Sequence, residues 1–125
     1  MSYLAIDFGT KHIGLAIAVS GIINTLPSIE NDSQTIDKII QIISENRVEK
    51  IYVGLSEGKM ALKTLGFITS LRSMIKLPIE TVEESVSTIE ATEIYKQNEG
   101  SKKFYKKQID SIAAAVILNR VISSN

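Results

Sequence analysis

Over the first 26 residues, apolar and polar positions fall in short blocks with no helical period. Tyr3-Leu4-Ala5-Ile6 is apolar, Asp7-Phe8-Gly9-Thr10-Lys11 is largely polar and carries a glycine, and Ile13-Gly14-Leu15-Ala16-Ile17 is apolar again. Two extended runs around a glycine-bearing turn predict a β-hairpin, and Ile22 to Leu26, after Ser20-Gly21, predicts a third strand. Beyond Pro27 the period changes. Ile36, Ile39, Ile40 and Ile43 recur at helical spacing, with Asp32 or Ser33 available as the N-terminal cap.

Val48 to Leu55 returns to a strand, and Ala61, Leu65, Ile68, Leu71 and Ile75 predict a helix from about Lys59 to Lys76. Pro78 opens a short strand through Val82. Ser87-Thr88-Ile89-Glu90 matches a capping box, so a helix is expected over roughly 88–98, closed by Gly100. A last helix starts near Ile109 and repeats apolar residues at Ile112, Ala113, Val116, Ile117 and Val121. Its Ala113-Ala114-Ala115 run allows close approach to a sheet. The order β-β-β-α-β-α-β-α-α predicts an α/β domain: a five-stranded mixed sheet, antiparallel first and then alternating with helices that cover it.

Composition narrows what such a domain does. The 125 residues fit a single domain, 1–125, with 44% hydrophobic residues to build its core. Fourteen basic and fourteen acidic side chains cancel, so attraction to a polyanion must come from local patches. With no cysteine and one histidine, His12, thiolate metal sites, cysteine nucleophiles and a Ser-His-Asp triad drop out. The longest apolar run, Ile112 to Leu118, is far short of the roughly 20 residues that span a bilayer, and no signal segment opens the chain. A soluble, cytoplasmic protein with no membrane partner is expected.

Three carboxylates fall at element boundaries. Asp7 ends the first strand, Glu83 or Glu84 follows the short strand after Pro78, and Asp110 sits in the first turn of the last helix. Taken singly, each has an ordinary structural account: a strand-end turn for Asp7, and complements to helix dipoles for the others. Adjacent strand residues face opposite ways, so only one of Glu83 and Glu84 can share a site with Asp7. Together the three would supply the oxygen ligands that Mg²⁺ or Mn²⁺ requires. Ser101-Lys102-Lys103-Phe104-Tyr105-Lys106-Lys107 adds four lysines and two aromatic rings just before Asp110, fit to neutralise phosphates and stack on bases, or equally to form a solvated loop. No Walker loop and no Gly-x-Gly-x-x-Gly occurs.

Four segments, in this order, resemble the YqgF (RuvX) family over about residues 3–120: Ala5 to Ala16, Val53-Gly54-Leu55, Glu83-Glu84-Ser85-Val86-Ser87-Thr88, and Asp110-Ser111-Ile112-Ala113-Ala114-Ala115. The resemblance implies a ribonuclease H-like fold and a metal-dependent endonuclease that matures the 5′ end of pre-16S ribosomal RNA, or one that resolves four-way DNA junctions. It assigns Asp7, Glu84 and Asp110 as catalytic metal ligands and Lys11 as the basic residue after Gly-Thr. Lys102, Lys103, Lys106 and Lys107 would join Lys11 in gripping phosphates. Glu83 stands where the family usually has Asp, Ser85 where it has Arg, and His12 where Arg is frequent, which removes two guanidinium contacts. The proline expected after Leu55 is Ser56, and the following loop is cut to Ser56-Glu57-Gly58.

Two rival functions follow from the same residues. A domain of this fold with weakened catalysis would act as a nucleic-acid-binding module. Asp7-Phe8-Gly9-Thr10 also resembles the phosphate loop of actin-like ATPases, but those close two lobes on a nucleotide and 125 residues leave no room for a second. The expected partner is nucleic acid, either structured precursor ribosomal RNA or branched DNA, and the protein is expected as a monomer or homodimer.

Overall fold

The computed structural model describes residues 1–56, 58–83 and 111–123. Five strands, β1 (Ser2–Phe8), β2 (His12–Val19), β3 (Ile22–Glu30), β4 (Lys50–Leu55) and β5 (Ile79–Glu83), form one sheet in the order β3-β2-β1-β4-β5. The β1–β2 and β2–β3 pairs are antiparallel, and β4 and β5 run parallel to β1. This is the mixed sheet that the hydrophobic blocks predict. Three helices accompany it among the described residues: α1 (Thr35–Glu45), α2 (Lys59–Met74) and α3 (Ile112–Ser123). The helix expected over 88–98 lies outside the described residues, as does Ile109, the expected start of the last one.

The two sheet faces carry different side chains, and this sorts the helices. Leu4, Ile6, Ile13, Leu15, Ile17, Ile51 and Val53 pack with Ile39 of α1 and Phe67, Ile68 and Leu71 of α2. The alternate positions Ala5, Ala16, Ala18 and Tyr52 pack with Ala114, Ala115, Val116, Ile117 and Leu118 of α3. Bulky aliphatics therefore meet two helices on one face, while alanines on both partners bring α3 close on the other. Ala5, Ala16, Ala114 and Ala115 are all within 1% of complete burial.

Several boundaries differ from the sequence reading. β3 does not stop at Leu26 but continues through Pro27 to Glu30. Proline is compatible here because β3 is an edge strand and the pairing slips at this point: Ile13 faces Ile29 and Leu15 faces Leu26, so Pro27 and Ser28 together oppose Gly14. α1 begins one or two residues later than a Ser33 or Asp32 cap requires, with Gln34 in the cap position and no side-chain cap bond. Asp32 instead accepts a bond from the Gln34 N–H through its own carboxylate, at 2.9 Å. α2 ends at Met74, and its buried face runs through Thr64, Phe67, Ile68 and Leu71, leaving Leu65 45% exposed. The hydroxyl of Thr64 donates to the Met60 carbonyl at 2.9 Å, which lets this polar residue be buried where the apolar stripe predicted Leu65.

The head of α3 is tied into the bulged pair. Ser111, fully buried, accepts a hydrogen bond from the Leu15 N–H at 3.0 Å and donates one to the Leu26 carbonyl at 2.5 Å. From there α3 traverses the sheet, and Arg120 donates to the Glu83 carbonyl at the end of β5, at 3.4 Å. Nine helical steps cover about 14 Å, which matches the three interstrand spacings from β2 to β5.

At the β1–β2 turn, a side chain on Gly9 would overlap the main-chain carbonyl oxygen of His12, so the close approach of the two strands demands glycine there. Two stability changes should follow. Ser111→Ala strands a buried N–H and a buried carbonyl, and is expected to cost about 2 kcal/mol, read as a Tm lowered by roughly 5–10 °C in calorimetry. Gly9→Ala must push the turn open at about 1–3 kcal/mol, and urea unfolding should show a lower midpoint at unchanged slope.

Candidate nuclease site

Asp7 is the penultimate residue of β1 and is half-buried. Strand alternation puts it on the same face as Ala5, the face that α3 covers. Its partner across β2 is Gly14. On the other side, continuing the β1–β4 register one step past Ile6 and Val53 brings it level with Gly54, which in turn pairs with Val82 of β5. Both strands beside the carboxylate thus carry a hydrogen where a side chain would stand. The acid sits on an alanine- and glycine-surfaced strip at the edge where β1, β4 and β5 all end.

The same alternation separates the paired glutamates. Val82 packs on the α3 side and Ile79 on the α1–α2 side, so Glu83, the last residue of β5, belongs to the α1–α2 set with Ile79 and Thr81. Glu83 is therefore not the acid that shares a face with Asp7. Glu84 and Asp110 lie outside the described residues, as do Lys102, Lys103, Lys106 and Lys107. Among the described residues, no group of three His, Cys, Asp or Glu side chains is close enough to hold a metal.

What the structure does describe beside Asp110 is its neighbour. Ser111 is anchored to Leu15, and Leu15 pairs with Ile6, the residue before Asp7. The head of α3 is thereby fixed one strand away from Asp7 and one register step from its level, on the same face. Lys11 and His12 are both exposed in and after the β1–β2 turn. His12 continues the Gly14 side of β2 and faces Glu30 across β3. The turn is held from outside by Asn31, whose side-chain amide donates to the Gly9 carbonyl at 2.8 Å and whose N–H donates to the Lys11 carbonyl at 2.9 Å.

The opposite end of the sheet has its own charges. Lys50 pairs with Glu80 at 2.8 Å and lies 5.0 Å from the Tyr52 ring centre. Its hydrogen bond to the Glu80 carboxylate raises the ammonium pKa above its ordinary value. Lys50 and Glu80 stand at the starts of β4 and β5, away from Asp7, so this pair belongs to the scaffold. Sequence reasoning missed Ser111 and Asn31. Ser111 was legible as the one hydroxyl at the head of an apolar helix. Asn31 had no sequence signal, because its partners are main-chain atoms about twenty residues away.

Comparison with known proteins places these features in a family. A relative from Desulforamulus reducens, named "Putative pre-16S rRNA nuclease", is 35% identical and aligns over 99% of this chain and 98% of its own length. A relative of the same name from Buchnera aphidicola is 34% identical over 94% of this chain and 93% of its own. Among solved structures, Thermus thermophilus RuvC superposes with a TM-score of 0.67 at 15% identity, over 98% of this chain and 97% of that one. The Fowlpox virus resolvase in complex with Holliday junction DNA gives 0.66 at 15% identity, over 99% and 98%. These likenesses show the fold, which is the ribonuclease H-like one. The model of the RuvX family, described as Holliday junction resolvase, matches residues 1–124, and the chain belongs to that family of phosphodiester-cleaving nucleases.

Proposed function

We propose that this protein is a divalent-metal-dependent endonuclease that acts on structured precursor ribosomal RNA, trimming the 5′ end of pre-16S rRNA in the cytoplasm. The observation that carries the reading is the tether of Ser111 at Leu15, which brings the head of α3 to the strand beside Asp7. Asp110 precedes Ser111 in the chain, and because β5 turns Glu83 to the face opposite Asp7, Glu84 is the glutamate carried into this reading. The names of the relatives favour ribosomal RNA as the substrate.

The donor set suits a hard cation. Asp7 offers carboxylate oxygens on a strip of small residues, and the chain has no thiolate to compete. Asp7, Glu84 and Asp110 would hold Mg²⁺ or Mn²⁺. Such an ion, when bound, supplies Lewis-acid polarisation of the phosphate and lowers the pKa of water. The chain's own contribution is placement. Asp7 stands near the end of β1, while Glu84 follows β5 and Asp110 precedes α3 in the sequence, and the glycines beside Asp7 leave room for a phosphate to approach. Lys11 and Lys102, Lys103, Lys106 and Lys107 neutralise flanking phosphates, which sets affinity and register without reading bases. Hydrolysis leaves a 5′ phosphate on the product. One precursor strand is cut by one subunit, so the monomer suffices, and a homodimer would be needed only for symmetric junctions.

Among the described residues no helix is long and apolar enough to cross a membrane. The test is cleavage of an end-labelled precursor RNA and of a four-way DNA junction, each with Mg²⁺, with Mn²⁺ and with EDTA. The wild type should cut the RNA only with metal and leave 5′ phosphate ends. Asp7→Asn, which keeps the shape and removes the charge, should lower the rate by at least about a hundredfold while RNA binding in EDTA persists. Preferential cutting of the junction would replace the substrate named here. Tight binding without cleavage by the wild type would make the chain a binding module.

A further inference from the structure

We propose that Asn31 is a positioning residue that clamps the β1–β2 turn and thereby presents Lys11 to a nucleic-acid phosphate. This rests on the reading that Lys11 contacts substrate. The evidence is a two-point clamp. The Asn31 side-chain amide donates to the Gly9 carbonyl at 2.8 Å, and its backbone N–H donates to the Lys11 carbonyl at 2.9 Å. One residue thus grips both ends of the Gly9-Thr10-Lys11 segment. The turn is tight on its inner side as well, since the His12 carbonyl fills the space a Gly9 side chain would need.

The clamp is itself braced. Asn31 is the first residue after β3, and the next turn is locked by Thr35, which is 3% exposed. The Thr35 hydroxyl accepts from the Asp32 N–H at 2.9 Å and donates to the Glu30 carbonyl at 3.0 Å. Asn31 therefore sits between two residues held by the same hydroxyl, Glu30 through its carbonyl and Asp32 through its N–H, and cannot shift without straining those bonds. Lys11, by contrast, is exposed, with a long and mobile side chain. A free turn would let its Cα wander too, and the ammonium would meet a phosphate less often.

This makes a prediction that a purely structural residue would not satisfy. Replacing Asn31 with alanine removes no charge, yet it should remove one ion contact from the complex. In EDTA, binding of a labelled RNA hairpin with a single-stranded tail, and of a labelled four-way DNA junction, would be measured from low to high salt. Lys11→Ala should reduce the slope of log affinity against log salt by about 0.7–0.9, and weaken binding roughly five- to eightfold near 0.1 M salt. Asn31→Ala should produce most of the same slope change, and the double variant should show no further loss. Thermal melting of each variant verifies folding. Both Asn31→Ala and Asn31→Ser keep the main-chain bond to Lys11; if Asn31→Ala does not fold, Asn31→Ser, which keeps a shorter side-chain donor toward Gly9, should give an intermediate slope.

An unchanged slope in Asn31→Ala, additive losses in the double variant, or no effect of Lys11→Ala would each overturn the proposal. Because binding is read without metal, a wild type that shows these slopes but cuts nothing defeats the nuclease reading and leaves this one standing.

Discussion

The arrangement of the site depends on a single buried hydroxyl. Ser111 lies between the Leu15 N–H and the Leu26 carbonyl, at the place where the β2–β3 ladder slips past Pro27. A main-chain donor and acceptor in the interior need partners, and leaving one unpaired costs about 1–3 kcal/mol. The hydroxyl serves both and so sets where α3 begins. Every later contact of that helix, out to Arg120 at the end of β5, is measured from this point.

The division of the sheet into a bulky face and a small face gives the anchor its effect. Leucines and isoleucines occupy the side that receives α1 and α2, and alanines occupy the side that receives α3. Small residues on both partners let the helix lie close over the sheet, while Gly14 and Gly54 keep the strip beside Asp7 low. One alternation of side chains thus makes half the core and also opens the edge where the acid stands. Function and packing are two consequences of the same period of two.

Much of this was legible residue by residue. The antiparallel start, the switch to alternating helices and strands, and the burial of Ile112, Val116 and Ile117 follow from hydrophobic spacing, a local property. The passage of β3 through Pro27 was not, because whether a proline breaks a strand depends on whether that strand is an edge. Nor was the rotation of α2 that buries Thr64 and exposes Leu65, since Thr64 satisfies its hydroxyl on the preceding turn. Asp7 was legible as a strand-end acid, yet only pairing showed glycines beside it.

By itself the sequence determined the class of fold, the order of its elements and the kinds of atom available for chemistry: carboxylates and lysines, no thiol, one imidazole. These follow from composition and from periods of two and 3.6 residues, which act over a few neighbours. Tertiary structure alone decided that Glu83 faces away from Asp7, that Ser111 is anchored on the strand next to that of Asp7, and that Asn31 grips the turn bearing Lys11. Those outcomes depend on strand register and on hydrogen bonds between main-chain and side-chain atoms up to 96 positions apart. No local pattern encodes such distances, because they exist only once the sheet has closed its ladder.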